Sequence, residues 1–187
     1  MISAMLRAPA IAVVLGVLLL GAGARRTSAQ APFEISGGYS LARDPRDEVT
    51  LLSGWMAGAA IGVTRALSVV GDISGQYQTI PLLTTDARLS VHTAMGGVRA
   101  SAGVGRLTEF AQIVAGVVRT SGSAFGATDV SQASGIQPGV GLDYPLTRAW
   151  AARAQFDVRL IRSQPDAANG GYEYRFAAAL VYRRPRR

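Results

Sequence analysis

The chain contains no cysteine and no lysine, and it has a single histidine. The first absence excludes thiolate metal sites, thiol nucleophiles, disulfides and lipid attachment through an N-terminal cysteine. The histidine, His92, has Ser90 and Thr93 nearby but no third member that would complete a catalytic triad, so no catalytic residue is assigned. Asp72, Asp143 and Asp157 do not have metal-ligand spacing, and no phosphate-binding loop or dinucleotide fingerprint is present. Neither a metal nor a cofactor is expected.

Long apolar runs are also scarce. The one that exists, Ile11 to Leu20, follows Arg7 and precedes the small-residue exit Thr27-Ser28-Ala29. That order is the layout of a secretory signal peptide, and cleavage is expected after Ala29, giving a removed segment 1–29. No second run is long enough for a membrane-spanning helix, which needs about 20 apolar residues. If the exported chain enters a membrane, it does so as strands.

The formal charge of +7 comes from the ends of the chain. Arg7, Arg25 and Arg26 leave with the leader, and Arg183, Arg184, Arg186 and Arg187 belong to a basic tail, 183–187. The body between them is neutral. A basic face for nucleic acid is therefore not expected.

What the mature part does have is alternation, the signature of strands half-buried on one face. FEISGGYSL places Phe33, Ile35, Tyr39 and Leu41 on one face and Glu34, Ser36 and Ser40 on the other. GWMAGAAIGVT, LSVVGDISGQY, GIQPGVGLDY, AWAARAQFDVRLIRS and YEYRFAAALVY alternate in the same way. LSVHTAMGGVRAS has no clear phase, and LTEFAQIVAGVVR is nearly apolar throughout, with Gln112 marking its polar side. These segments predict eight strands over residues 30–182. Short links (Thr64 to Ala66, about Ala102 to Arg106, Pro145 to Ala149) alternate with long polar ones (RDPRDEVT, TIPLLTTDAR, the Ser/Gly/Ala stretch 121–135, RSQPDAANGG). Short turns on one rim and long loops on the other describe an all-β, eight-stranded antiparallel up-and-down transmembrane β-barrel.

The two faces differ in a way that assigns their solvents. One carries Phe, Tyr, Trp, Ile, Leu and Val without charge. The other is mostly Gly, Ala and Ser, punctuated by acids and arginines. Small residues suit the narrow interior of an eight-stranded barrel, whereas a soluble barrel would use Lys, Glu and Thr on its wet face. The polar face is therefore the lumen, and a lumen charge network is expected among Glu34, Asp72, Arg99, Asp143, Arg153, Asp157, Arg159, Glu173 and Arg175. Aromatics near strand ends, Phe33, Tyr39, Trp55, Tyr77, Tyr144, Trp150, Tyr172 and Tyr182, are expected to form interfacial girdles at headgroup level.

The opening FEISGGYS, GW in the second strand, VVGDISGQY, FAQIVAGVVR, GVGLDY, an Arg-x-Gln-x-Asp seventh strand and an aromatic-ending eighth together resemble the OmpA/OmpX-type outer-membrane β-barrel superfamily over the whole mature chain. The resemblance implies an outer-membrane location in a Gram-negative-type envelope with both termini periplasmic. It also implies outer-membrane lipids and the barrel-assembly machinery as partners, a monomer, and an unspecified ligand for the extracellular loops. The expected function is a non-enzymatic barrel with a structural, surface-binding or narrow-pore role. Two alternatives are a lipid-modifying membrane enzyme using His92, and a soluble, lipocalin-like exported barrel that binds an apolar ligand.

Overall fold

Residues of period two can bury one face only if a sheet curls or stacks, and here the sheet curls on itself. A computed structural model describes residues 33–44, 51–81, 86–124, 127–162 and 171–184. It contains β1 (Phe33–Arg43), β2 (Leu51–Gly62), β3 (Leu67–Pro81), β4 (Asp86–Val104), β5 (Leu107–Ala124), β6 (Ala127–Pro145), β7 (Trp150–Arg162) and β8 (Gly171–Arg183). Each strand pairs antiparallel with its sequence neighbour, and β1 pairs with β8, closing the barrel. Closure leaves no unpaired edge along the ring, the condition under which strands can lie in hydrocarbon.

The register fixes the tilt. Pairs followed from Glu34 run through Ala60, Val70, Gly97, Val114 and Gln137. The β6–β7 and β7–β8 registers carry the row on to Arg159 and Glu173. Glu34 itself pairs with Arg183, so one circuit of the barrel is displaced by the ten residues separating Glu173 from Arg183. At about 3.3 Å per residue and about 4.8 Å between strands, that stagger tilts the strands by about 40°. Tilt brings residues from distant strands to one height, so that β8 and β3 side chains meet across the lumen.

Two of the turns are chemically the same. In Val63-Thr64-Arg65-Ala66 and Leu146-Thr147-Arg148-Ala149 the threonine hydroxyl accepts from the backbone N–H groups two and three residues on, at 3.3 and 3.0 Å in the first and 3.2 and 3.0 Å in the second. The next strand's first carbonyl, that of Leu67 or Trp150, accepts two backbone N–H bonds in each. Side-chain capping of this kind lets a tight turn form without glycine. The β4–β5 turn uses the other solution, with Gly105 at a φ of 62°.

Four boundaries differ from the sequence reading. Much of the TIPLLTTDAR link is strand, because β3 continues to Pro81 and β4 begins at Asp86. The β4–β5 turn is Gly105-Arg106 rather than Ala102 to Arg106, because the strands continue to Val104 and resume at Leu107. The stretch 121–135 is mostly strand, since β5 reaches Ala124 and β6 starts at Ala127. Ladder bonds set by the buried half of this hairpin propagate through Ser and Thr, whose strand preference depends on context. Arg183 belongs to β8, not to a free tail. The leader 1–29, nearly all of RDPRDEVT and RSQPDAANGG, and residues 185–187 lie outside the described residues. The barrel is consequently uneven: β4 and β6 have 19 residues and β5 has 18, against 11 in β1 and 12 in β2. The wall made by β4–β6 stands higher on the loop side.

Candidate functional site

Alternation directs odd residues of β7 and β8 inward, and these carry most of the lumen charge. Arg153, Gln155, Asp157 and Arg159 follow one another down β7, and Glu173, Arg175 and Arg183 lie on β8. The nine residues expected in the lumen all lie there, and each takes part in an ion pair.

The pairs form three groups. On the turn side, Glu34 meets Arg99, Arg153 (2.8 Å) and Arg183 (3.3 Å). Asp143 accepts from Arg153 Nε at 2.7 Å and Nη2 at 2.8 Å, and it also pairs with Arg183. At mid-height Arg175 donates twice to Asp72, at 2.8 and 3.2 Å, and once to Asp157 at 2.9 Å. Towards the loops Arg159 donates to Glu173 at 2.9 Å and to Gln137 Oε1 at 2.9 Å. Gln112 joins the first two groups: its Oε1 accepts from Arg99 at 3.0 and 2.8 Å, and its Nε2 donates to Asp157 at 3.5 Å.

The network contains five arginines and five carboxylates, so it is neutral as a whole. Neutrality matters because Asp157, Arg159 and Arg175 are 0 % exposed, and an ion taken out of water without a partner costs several kcal/mol. Bidentate arginine geometry supplies the directional bonds that offset this cost. A neutral strip continues the filling: Ser74 and Thr93 share a bond at 2.7 Å, and Gln76 donates to Ser40 at 3.2 Å and to Ser74 at 3.0 Å.

Apolar side chains complete the filling of the lumen. Phe110 points inward from β5, with the Arg99 and Arg153 guanidinium carbons 4.4 and 4.6 Å from its ring centroid. Leu52, Val70, Val91, Met95, Val114 and Val118 form an apolar cluster inside the barrel. Glycine provides the space opposite these large groups. A Cβ at Gly141 would overlap the Phe110 ring, and one at Gly139 would overlap the Asp157 carboxylate.

Four participants were not among the charged residues expected in the lumen. Arg183 reads as tail, although it shares the parity of Glu173 and Arg175, and extending that alternation by one step would have found it. Phe110 shares the parity of Gln112, which marks the polar side of its segment, but is itself apolar. Gln137 and Gln155 carry the right parity but no charge to draw attention.

Outside, large hydrophobics including Ile35, Ile61, Ile73, Ile113, Phe176 and Leu180 are exposed. Phe33, Tyr144, Trp150 and Tyr182 lie on the turn side, with Trp150 and Tyr182 edge-to-face at 5.2 Å. Tyr39, Trp55, Tyr77 and Tyr172 lie on the loop-side halves of their strands. His92 also points outward. The Tyr77 hydroxyl is 3.1 Å from its Nε2, and Trp55 Nε1 donates to that hydroxyl at 3.4 Å. The nearby Ser90 hydroxyl donates to the Ser121 carbonyl at 3.5 Å, and no acid joins His92 among the described residues.

No protein-family model matches the sequence, and neither does any curated protein sequence. Solved structures share the fold. Ail, the attachment invasion locus protein of Yersinia pestis, is 14 % identical with a TM-score of 0.60, over 83 % of this chain and 99 % of that one. Neisserial surface protein A is 13 % identical with a TM-score of 0.63, over 82 % and 98 % of the two chains. OprG of Pseudomonas aeruginosa, an outer membrane protein, is 10 % identical with a TM-score of 0.59, over 86 % and 99 %. The fold is that of the small eight-stranded outer-membrane β-barrels.

Proposed function

We propose that the chain is a sealed, non-enzymatic outer-membrane barrel, a rigid support that carries its tall loop-side strands and loops at the cell surface. The observation that carries this reading is the neutral, interlocked network that crosses the lumen from β1, β6, β7 and β8 to β3 and β4. Eight-stranded interiors are narrow enough for side chains to fill. Here the filling is tied together by bonds that also fix register, so its role is a plug rather than a gate. The exterior supports a lipid environment: a soluble lipocalin-like barrel would place Ile35, Ile61, Ile73, Phe176 and Leu180 in water.

In this reading residues 1–29 are removed on export, the barrel-assembly machinery inserts the chain, and the short turns and both termini face the periplasm. The barrel works as a monomer, and the loop-side wall of β4–β6 contacts the outside. His92 has no catalytic role. Two measurements test the proposal. The folded protein should require detergent and migrate differently on a gel before and after heating; recovery as a detergent-free monomer would sink the membrane reading. In planar bilayers it should show no steady conductance, and an ohmic current from the wild-type chain would overturn the plug.

A further inference from the structure

The turn-side rim repeats one pattern that the turns themselves do not require. Val63-Thr64-Arg65, Val104-Gly105-Arg106, Leu146-Thr147-Arg148 and Tyr182-Arg183-Arg184 each place an arginine two residues after a hydrophobic one. The first three are the β2–β3, β4–β5 and β6–β7 turns. The fourth lies where β8 ends beside β1, and there the Arg184 N–H donates to the Phe33 carbonyl at 3.2 Å. Thr64, Thr147 and Gly105 supply the turn chemistry, by hydroxyl capping or positive φ. Among the described residues, no bond in these turns uses an arginine side chain.

Because strands follow one another around the closed sheet, the four arginines fall one to each quarter of the rim. At about 4.8 Å between strands and a tilt of about 40°, neighbouring sites are roughly 12 Å apart along it. That exceeds the Debye length of about 8 Å at physiological salt, so each charge acts on its own surroundings. All four arginines are exposed and take part in none of the ion pairs among the described residues. Arg183, by contrast, turns inward to Glu34 and Asp143. Among the described residues a single carboxylate, Glu109, faces outward near this rim, on β5 opposite Leu142.

The hydrophobic members of the pattern set its depth. Val63, Val104 and Leu146 are 68, 43 and 53 % exposed, and Tyr182 packs on Trp150 in the turn-side girdle. A turn standing free in water gains nothing from an exposed Val or Leu at its start. At the edge of the hydrocarbon those side chains are covered by acyl chains, and an arginine two residues on reaches the headgroup layer.

We propose that the rim is a basic collar that gathers anionic glycerophospholipids around the barrel in the turn-side leaflet. Each guanidinium holds the phosphate of one headgroup. Two observations select this occupant over a protein or a wall polymer. The arginines are spread over the whole circumference, where lipid is met on every side, whereas a docked macromolecule would need them on one face. Each also follows a residue suited to hydrocarbon. The proposal rests on the membrane reading above.

Trp150, two residues after Arg148 and in contact with Tyr182, reports on the collar once Trp55 is replaced by Phe. In that background the protein is folded into bilayers of phosphatidylcholine and phosphatidylglycerol, one of the two carrying brominated, quenching acyl chains. Phosphatidylglycerol should be enriched at Trp150 about fivefold over its bulk fraction, the preference one arginine gives an anionic surface. Arg148→Gln with Arg184→Gln should bring the enrichment close to one, and the corresponding pair of lysine substitutions should keep most of it. Loop-side Arg162→Gln, on the same strand as the reporter, should leave it unchanged. With the reporter moved to the β2–β3 turn by Val63→Trp and Trp150→Phe, the same enrichment should appear and depend on Arg65.

Equal quenching by the two lipids, an enrichment that survives the double glutamine variant, or one confined to a single turn would each overturn the proposal. Arginine-dependent sedimentation with purified peptidoglycan, without lipid enrichment, would overturn it in favour of the cell wall. Heat-dependent gel mobility is read on every variant, so failure of the membrane reading is seen separately from failure of the collar.

Discussion

Strands β5 and β7 run in the same direction, from the turn side to the loop side, and both turn hydrophobic residues outward. They fill the lumen by opposite means. β7 contributes Arg153, Gln155, Asp157 and Arg159 in succession; β5 contributes Phe110, Gln112, Val114, Gly116 and Val118, with Phe110, Val114 and Val118 each 1 % exposed. The lumen of this barrel is therefore not simply polar. It is a volume to be filled, and charge enters only where opposite charge can be brought to meet it. Arg175 of β8 reaches Asp72 of β3 because the tilt places them at one height, whereas no arginine crosses to Val114 or Val118. Packed apolar atoms do as well there, at no desolvation cost.

The contrast can be broken most severely on the charged side. Arg175→Met would leave Asp72 and Asp157 without their guanidinium, and stability should fall by about 3–5 kcal/mol, the usual result of orphaning a buried charge. Urea unfolding in detergent or lipid would measure it. Adding Asp72→Leu and Asp157→Leu should recover most of the loss, because replacing a whole buried ionic group by apolar residues is often neutral. A triple variant no better than the single one would show that charge itself, not filling, is required at mid-lumen.

A steric substitution on the same side should cost less. Gly139→Ala puts a methyl group into the Asp157 carboxylate, and overpacking of this sort costs about 1–3 kcal/mol. On the apolar side, Val114→Ala removes two methyl groups from a closed cluster, for about 2 kcal/mol including the cavity left behind. The smallest effect belongs to the outer wall. Ile113→Val, one residue from Val114 but facing outward, should change stability by less than about 0.5 kcal/mol, as exposed substitutions do. If Ile113→Val and Val114→Ala unfold at the same urea concentration, the inward and outward assignment of β5 is wrong.

The same contrast explains which parts of the molecule could be read in advance. From Ala152 to Leu160 every lumen residue of β7 is polar and every outward one apolar, so period two is visible and the inner face declares itself. Between Phe110 and Val118 both faces of β5 are apolar apart from Gln112, and in β4 the inward Val91 and Met95 sit beside the outward His92. Hydropathy carries no phase in such strands; their neighbours set it through register. The extra length of β5 and β6 was hidden for a related reason. Ser, Gly and Ala dominate 121–135, have little strand preference of their own and extend because the hairpin below them is already paired.

By itself the sequence determined the number of strands, the alternation of short and long connections, and the solvent on each side of the wall. These follow from backbone period and side-chain polarity, which are local properties. Only the tertiary structure decided who meets whom: that Glu34 lies among Arg99, Arg153 and Arg183, that Arg175 spans the lumen to Asp72, that Phe110 sits inside beside two guanidinium groups, and that His92 faces outward opposite Arg119. The physical reason is the ten-residue stagger of the closed sheet. It sets the tilt of the strands, and the tilt sets the heights at which residues far apart in the chain come together.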